Sequence, residues 1–210
     1  MQITKLTFKK MTPMVEVWLD GSLGLTCHLD LILKYQLETG MSLSEDDLET
    51  LRQDQLSLEA WQKALRYCLS KTRTAAEVKR YLNSKEVDDH LANSILARLE
   101  RDYDLNDLKA VKEYDEQNRG RMGSRRIRSD LQRRGVSGAV IDAALGGNND
   151  EDREAEELDA ALALARKKIA SNVGEDPRKV AMRVIGLLQR KGYSQGLIRK
   201  VADTLELRLY

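Results

Sequence analysis

Arginine is concentrated in one short segment of this chain of 210 residues. Between residues 119 and 134 there are seven arginines and a single acidic residue, Asp130. The arginines are Arg119, Arg121, Arg125, Arg126, Arg128, Arg133 and Arg134. Arginine presents a rigid fork of N–H donors that matches a carboxylate or a phosphate, and lysine lacks this fork. The chemistry that this segment predicts is therefore the binding of an anionic partner.

A second basic segment runs from residue 178 to residue 200. It contains seven bases and no acidic residue, and Arg190 and Lys191 stand next to each other in it. Acidic residues are concentrated elsewhere, at 45–49 and 150–159, so the formal net charge is only +1. An alternative interpretation is a set of solvated helix faces balanced by acidic neighbours. The preference for arginine favours a polar partner that is attracted by a local positive field.

Residues that could act in catalysis are few, and the sequence predicts no catalytic site. Cys27 and His28 are adjacent in a predicted strand. Their side chains should point to opposite faces, so they cannot form a nucleophile–base pair. His90 lies in a polar stretch that is typical of a surface position. Metal binding needs more histidines, cysteines or convergent carboxylates than the chain offers, so we expect neither a metal nor another cofactor.

Two glycines lie beside the arginines in the segment from Gly120 to Arg126. This segment lacks the GxxxxGK[ST] pattern of a phosphate-binding loop. We expect Gly120 and Gly123 to end one helix and Ser124 to begin the next. The start of that helix would present backbone N–H groups, where an anion or an acidic side chain could dock.

Both basic segments lie in an internal repeat. The sequence Ile127-x-x-x-Leu131-Gln132-Arg133-Arg134-Gly135-Val136-Ser137 returns 57 residues later as Val184-x-x-x-Leu188-Gln189-Arg190-Lys191-Gly192-Tyr193-Ser194. A fainter third copy has Val78 and Leu82, with Glu86 in place of the glycine. Apolar helices are predicted before the copies, at about 58–69, 105–118 and 158–169. These patterns predict a mainly α fold, built as an extended array of tandem three-helix repeats.

The repeated residues divide into structural and functional positions. We expect Ile127, Leu131, Val184 and Leu188 to lie in the core. The glycine and the serine should form the turn into the next helix, and the two basic residues should face outward. A capping box of Thr74 and Glu77 should begin the second helix of the first copy.

The N-terminal region differs from the repeats. Residues 3–8 and 15–19 alternate between apolar and polar, and Asp20-Gly21 precedes a third such segment, which is a hairpin signal. This predicts a small N-terminal β-hairpin element, followed by helices at about 30–39 and 45–55. The predicted domains are 1–56 for this element and its helices, 57–100 for repeat 1, 101–147 for repeat 2, and 148–210 for an acidic linker with repeat 3.

Composition predicts the environment of the protein. Cys27 and Cys68 do not have the spacing of a metal site, which favours a reducing compartment. No stretch approaches the roughly 18–20 apolar residues of a membrane span, and no signal peptide opens the chain. We therefore expect a cytoplasmic protein that does not enter a membrane. We also expect a monomer, because the apolar residues of the repeats should be used in their own packing.

The repeats resemble the RecX family, whose members are negative modulators of the RecA recombinase. In the second repeat the resemblance runs through Tyr103-x-Leu105-Asn106-Asp107, Tyr114 and Gly123-x-x-x-Ile127-x-x-x-Leu131-x-x-x-Gly135-Val136. In the first repeat it runs through Ala64-Leu65-x-Tyr67 and Arg73-x-x-x-Glu77-x-x-x-Tyr81-Leu82. It covers about residues 58–207, and the chain departs from the pattern at Glu86, where a repeat glycine is usual.

The resemblance implies a curved helical array that lies in the groove of the RecA–DNA filament. It implies inhibition of filament extension, strand exchange and ATP hydrolysis through binding alone, without a catalytic group. The residues predicted to meet an acidic recombinase surface or DNA phosphate are Arg73, Arg121, Arg125, Arg126, Arg128, Arg133, Arg134, Arg190 and Lys191. Two alternatives remain open: a helical protein that binds DNA directly through the same bases, and a purely structural scaffold.

Overall fold

The structure is a computed structural model that describes residues 1–146 and 150–207. In these ranges it contains ten α-helices and one three-stranded sheet. The chain divides into two compact units. The first comprises Met1–Ser70 with Tyr81–Ala97, and the second comprises Lys71–Arg80 with the chain from Arg98 onward.

The first unit begins with an antiparallel sheet. Its strands are β1 (Ile3–Phe8), β2 (Met14–Leu19) and β3 (Ser22–His28), and they are neighbours in that order. Asp20 and Gly21 join β2 to β3 with φ values of +48° and +85°. Positive φ at both central residues is typical of a tight hairpin turn, and Asp and Gly accept it readily. The predicted hairpin element is therefore confirmed, as part of a three-stranded sheet.

One face of the sheet packs on two helices, α1 (Leu29–Lys34) and α2 (Glu45–Ser70). Val15 and Val17 of β2 are buried in one core with Leu31 of α1 and Leu51 of α2. The side-chain oxygen of Gln55, also on α2, accepts a hydrogen bond of 2.7 Å from the backbone N–H of His28. A small sheet is stable in water when its apolar face is covered, and the two helices cover that face here.

Three of the predicted helices are wrong in extent. The helix predicted at about 30–39 ends at Lys34. The helices predicted at about 45–55 and 58–69 are a single helix, α2, so the boundary predicted between residues 56 and 57 falls inside it. Helix α2 contains no glycine or proline. Nothing in its sequence therefore stops the helix where one repeat was expected to begin.

Eight further helices complete the repeats. They are α3 (Ala75–Asn83), α4 (Asp89–Tyr103), α5 (Asp107–Asn118), α6 (Ser124–Arg133), α7 (Gly138–Leu145), α8 (Asp150–Ala170), α9 (Pro177–Lys191) and α10 (Gln195–Thr204). Repeat 1 consists of the second half of α2 with α3 and α4, repeat 2 of α5 to α7, and repeat 3 of α8 to α10. The predicted class, mainly α with tandem three-helix repeats after a small β element, is confirmed.

The acidic residues that were predicted to form a linker are helical instead. Helix α8 begins at Asp150, so the acidic stretch up to Asp159 lies in its first turns. Residues 147–149 of the predicted linker lie outside the described residues. Glutamate, alanine and arginine are good helix formers, and the helix dipole favours acidic residues near the N-terminus. The acidic charge is therefore carried on a regular helix with a defined face.

The second helix of every repeat ends in the same way. Four residues after a buried leucine the backbone has positive φ, and the next N–H donates to the carbonyl oxygen of that leucine. The three sets are Leu82, Glu86 and Val87; Leu131, Gly135 and Val136; and Leu188, Gly192 and Tyr193, with N···O distances of 3.2, 3.1 and 3.1 Å. This left-handed end is a common helix stop. It confirms that residues 78–87 are a third copy of the repeated sequence.

The repeated apolar residues lie in the cores. Ile127 and Leu131 are buried with Val111 in repeat 2. Val184 and Leu188 are buried in repeat 3. The prediction that these four repeated positions are core positions is therefore confirmed.

Each repeat glycine packs against the start of the second helix of the preceding repeat. A Cβ atom added to Gly135 would lie 2.3 Å from the Cβ of Ala76, near the start of α3. A Cβ atom added to Gly192 would lie 2.3 Å from the Cβ of Arg126, near the start of α6. Only glycine permits such close approaches, so we call these two contacts the first and second joints.

Candidate anion-binding surface

The start of α6 is capped by a carboxylate group of this same chain. Gly120 has a φ of +77° after α5 ends, and Gly123 is the residue that precedes α6. Gly123 has no side chain that could cap the helix, and the backbone N–H of Ser124 donates to Oε1 of Glu157 at 2.9 Å. The predicted helix break is therefore confirmed. The predicted acidic side chain at the helix start comes from α8 of this same chain.

Four of the predicted site arginines form ion pairs within the second unit. Arg126 and Arg133 both pair with Asp130, and Nε of Arg126 lies 3.0 Å from its carboxylate. Arg128 pairs with Asp142 across α6 and α7. These three side chains are between 44% and 64% exposed, and Asp142 is 63% exposed, so the Arg128–Asp142 pair is open to solvent and weak. Asp130 is only 12% exposed, so solvent screens its two pairs less.

Arg134 is different, because its side chain lies in the first joint. Its guanidinium donates to both oxygens of Glu77, at 3.0 and 2.9 Å, and its side chain is only 20% exposed. It also lies 5.3 Å from the centre of the Tyr114 ring. Its carbonyl oxygen accepts from Oγ1 of Thr74 at 2.8 Å. The expectation that both basic residues of the repeated sequence face outward is therefore wrong for Arg134.

The predicted capping box at the start of α3 is confirmed, and it is part of the first joint. The N–H of Glu77 donates to Oγ1 of Thr74 at 3.1 Å, and the N–H of Thr74 donates to Oε2 of Glu77 at 3.0 Å. Burial acts to raise the pKa of Glu77, but hydrogen bonds from Arg134 and from the Thr74 N–H outweigh it. The pKa of Glu77 is consequently held below its ordinary value.

Replacing Glu77 with glutamine should destabilise the protein at neutral pH and have less effect in acid. A depressed pKa in the folded state contributes stability that is present above the unfolded-state value of about 4.3 and is lost as the pH falls through the folded value. We expect Glu77→Gln to lower the free energy of unfolding by roughly 1.5 kcal/mol at pH 7, as for a hydrogen bond to a charged group. Urea unfolding at pH 7 and at about pH 3.5 measures the difference.

The control for this prediction is Glu100→Gln, which neutralises an exposed carboxylate on α4. It should leave the stability unchanged at both pH values. An effect of Glu77→Gln that is the same at both pH values would show that the Arg134 ion pair is not what stabilises the first joint.

Four of the predicted bases have no carboxylate partner among the side chains that the structure describes, which are those of residues 1–146 and 152–207. They are Arg121, Arg125, Arg190 and Lys191, of which the three arginines are exposed and Lys191 is half-buried. The carbonyl oxygen of Lys191 accepts from the N–H of Gly123 at 2.9 Å, in the second joint. The joint therefore brings the two basic segments into contact. We call these four residues the basic surface.

Arg73, the remaining predicted site residue, is half-buried. It lies just before α3, and its positive charge is one of the influences that lower the pKa of Glu77. Arg73 therefore belongs to the surroundings of the first joint, whereas the basic surface belongs to the second.

Sequence reasoning missed the most deeply buried charge of the repeats, Asp115 on α5. This side chain is only 3% exposed, and it accepts from Nη2 of Arg119 and from Nη2 of Arg153, both at 2.7 Å. The hydrogen bond to Asp115 raises the pKa of Arg119. The spacing of Asp115 and Arg119 on one helix was a usable signal, but no local pattern indicates Arg153. This cluster ties α8 of repeat 3 to α5 of repeat 2.

An open groove of about 470 Å³ lies beside the start of α6. It is lined by polar side chains that include Arg125, Arg128, Arg153 and Glu157. Across the described ranges, no three histidine, cysteine, aspartate or glutamate side chains are grouped so that they could hold a metal ion. Nor do those ranges contain a helix with the length and apolarity needed to cross a membrane. The groove is suited to binding a charged group.

The fold and this surface define a class: helical proteins built from tandem three-helix units that display bases at the junctions of units. Family models for the first, second and third three-helix domains of RecX match residues 60–99, 114–145 and 154–202, which together make up more than half of the chain. The chain belongs to the RecX family, a family of regulatory proteins.

Individual relatives align with nearly the whole chain. Regulatory protein RecX from Streptococcus thermophilus is 29% identical over 210 residues, which cover 99% of this chain and 78% of the relative. Regulatory protein RecX from Clostridium beijerinckii is 26% identical over 203 residues, which cover 95% of this chain and 93% of the relative. The chain therefore spans most of the length of both relatives.

Two solved structures share the fold. A crystal structure of regulatory protein RecX has a TM-score of 0.71 at 20% identity, and the match covers 96% of this chain and 98% of that one. The crystal structure of RecX from Lactobacillus salivarius has a TM-score of 0.61 at 22% identity, covering 72% and 97%. The likeness of these structures supports the arrangement of elements described above.

Proposed function

We propose that this protein is a non-enzymatic regulator that binds the RecA–DNA filament in its groove. In this proposal it acts in the cytoplasm as a monomer, and it inhibits filament extension, strand exchange and ATP hydrolysis. Family membership supports the regulatory role. The observation that carries the choice of surface is that Arg121, Arg125 and Arg190 are exposed and Lys191 is half-buried, without a carboxylate partner among the described side chains, on two segments that the second joint holds together through the bond from Gly123 to Lys191.

Binding can account for such inhibition without any chemistry at the bound surface. A filament grows and exchanges strands through changes between neighbouring protomers, so a ligand that favours one state opposes those changes. Guanidinium groups without an internal partner can form charge-assisted hydrogen bonds with acidic side chains or with phosphate. The basic surface is therefore where we expect the filament to be bound.

Replacing both Arg121 and Arg125 with alanine should weaken filament binding about tenfold. Removing two charge-assisted hydrogen bonds at an exposed surface corresponds to at least about 1.4 kcal/mol of binding free energy, which is a factor of ten. We expect the same shift in the concentration that half-inhibits the DNA-dependent ATPase of RecA. Co-sedimentation with RecA filaments and the ATPase assay measure the two effects.

A matched control removes two positive charges from α8, outside the basic surface. Arg166→Ala with Lys167→Ala neutralises two exposed bases on α8 that are not part of the basic surface. The control pair should retain nearly full inhibition. Equal losses of inhibition in both pairs would contradict the assigned surface. A wild-type protein that neither sediments with the filament nor lowers its ATPase would overturn the function itself.

Direct binding to DNA is the second candidate function. The favourable observation is that a helix start and exposed arginines lie together, because both bind phosphate well. If about five phosphates are neutralised, the logarithm of the affinity should fall with the logarithm of the salt concentration with a slope near −4 to −5. Tight, sequence-selective binding to DNA without RecA would favour this candidate over the filament regulator.

A further inference from the structure

Gly186 lies in the interior of α9, where glycine is the least favourable residue after proline. Its φ is not positive, so the backbone does not require glycine at this position. Among the described residues, a Cβ atom added to it would meet only Nη1 of Arg190, at 3.2 Å, which is the end of a flexible side chain. Close packing within the chain therefore does not require glycine here either.

The other two copies of the repeated sequence carry side chains at the same place. Two positions before the buried leucine of each copy, the residues are Arg80 in α3 and Ser129 in α6. The helix forms in both copies with these residues present. Neither the fold of the repeat nor its internal packing thus explains why the third copy has a glycine.

The glycine lies at the centre of the outer face of α9. The opposite face is buried in the core of repeat 3 and carries Val180, Ala181, Val184 and Leu188. Spacings of three and four residues place Met182, Arg183, Gln189 and Arg190 around Gly186. All four are exposed, and Met182 is 68% exposed. Longer side chains around a glycine form a hole that a side chain of a partner helix can enter, and we call this hole the glycine notch.

The charges around the glycine notch are positive. Lys179 lies seven residues before the glycine and therefore on the same face of the helix. Lys179 and Arg190 are exposed, and neither has a carboxylate partner among the side chains that the structure describes. Arg183 pairs with Glu175, but there is no acidic residue from position 178 to position 200. Basic residues around an exposed Met182 are complementary to an apolar side chain that is flanked by acidic ones.

We propose that the glycine notch receives an α-helix of the recombinase in the filament. This helix places an apolar side chain over Gly186 and acidic side chains against Lys179 and Arg190. Helix axes approach to about 8 Å only where the side chains in contact are small, which gives the glycine a function. The inference rests on the proposed function and deepens it, because it assigns a second contact that continues from the basic surface along α9.

The test is a series of side chains at Gly186 in the full chain, measured by binding to RecA filaments. Gly186→Ala should weaken binding about threefold and Gly186→Leu about tenfold, because a side chain would overfill the contact. Both variants should be more stable than the wild type, with Tm higher by roughly 2–4 °C, because alanine and leucine favour the helix. Unchanged binding in both variants overturns the proposal, and so does a loss of binding that accompanies a loss of stability.

A matched control adds the same side chain at another exposed glycine. Gly196 lies in the first turn of α10, and a Cβ atom added to it would have nothing within 4 Å. Gly196→Leu should change filament binding less than twofold. Equal losses of binding in Gly186→Leu and Gly196→Leu would show that the effect is not specific to the glycine notch.

Cross-linking identifies what occupies the notch. Gln189 is exposed at its rim and can be replaced by the photoreactive residue p-benzoylphenylalanine. Irradiation of this variant on RecA filaments should join it to a helical segment of the recombinase that carries acidic residues, which mass spectrometry identifies. A cross-link to the DNA strand, to a segment that is not helical or to no partner overturns the proposal.

The wild-type protein separates this inference from the proposed function. If the wild type binds the filament and lowers its ATPase while the variants at Gly186 do the same with equal affinity, only the glycine notch is wrong. If the wild type neither binds the filament nor lowers its ATPase, the proposed function fails, and the assignment of the notch fails with it.

Discussion

Replacing Gly192 with alanine is expected to lower the free energy of unfolding by about 2–5 kcal/mol. Gly192 has a φ of +82°, and an L residue in the left-handed region costs roughly 1–2 kcal/mol. The new Cβ atom would also lie 2.3 Å from Cβ and 2.6 Å from the backbone N of Arg126, and overpacking costs about 1–3 kcal/mol more. Because backbone atoms are involved, the second joint cannot relax cheaply. Denaturant unfolding followed by circular dichroism measures the change in stability.

Three other glycines distinguish the effect of backbone strain from the effect of the steric clash. Gly174 has a φ of +89° with nothing within 4 Å of the added atom, so Gly174→Ala should show the backbone strain alone. Gly123 lacks positive φ, but its added atom would lie 2.4 Å from the carbonyl oxygen of Gly192, so Gly123→Ala should show the clash without the strain of a positive φ. Gly196 has neither, and Gly196→Ala should be neutral or slightly stabilising. A Gly192→Ala protein no less stable than Gly174→Ala would contradict the close packing of the second joint.

Replacing Asp115 with alanine is expected to cost about 1.5–3 kcal/mol. Its buried carboxylate accepts charge-assisted hydrogen bonds from Arg119 and Arg153, and the substitution removes both while leaving the two partly exposed arginines to solvent. Since Arg153 lies on α8 and Asp115 on α5, the substitution should also loosen repeat 3 from repeat 2. Hydrogen exchange should therefore show lower protection in α8, in addition to the lower unfolding free energy.

Asp102 is a matched control, because it also faces two arginines. Its pairs with Arg98 and Arg101 lie at the surface, and its side chain is 36% exposed. Solvent screens such pairs, so Asp102→Ala should change the stability much less than Asp115→Ala. Similar effects from the two substitutions would mean that burial does not set the strength of the Asp115 cluster.

The parts of the fold that sequence predicts are those set by local chemistry. Asp20 and Gly21 accept the dihedral angles of a hairpin turn wherever the strands go. The leucine-to-glycine spacing encodes a helix and its stop within one segment, which is why even the copy with Glu86 could be recognised. The continuity of α2 does not follow from the repeats. They predict a boundary between residues 56 and 57, but no residue there breaks the helix.

The electrostatic site depends on interactions that local patterns do not contain. Arg134 and Lys191 occupy the same place in the repeated sequence, yet Arg134 is bound by Glu77 and Lys191 has no carboxylate partner in the described ranges. The third residue of α3 is Glu77, whereas the third residue of α6 is Arg126. The environment of each base therefore depends on a residue that lies one whole repeat earlier in the chain. Only the folded arrangement separates structural arginines from accessible ones.

Glu86 sets the order in which these units can be joined. Gly135 and Gly192 let a turn come within van der Waals distance of the preceding helix, but Glu86 carries a Cβ atom that would not fit such a joint. Copies of the second or third unit could thus be inserted behind another unit by gene duplication, whereas a copy of the first could not. The first unit would therefore need glycine at position 86 before it could follow another unit in the same way.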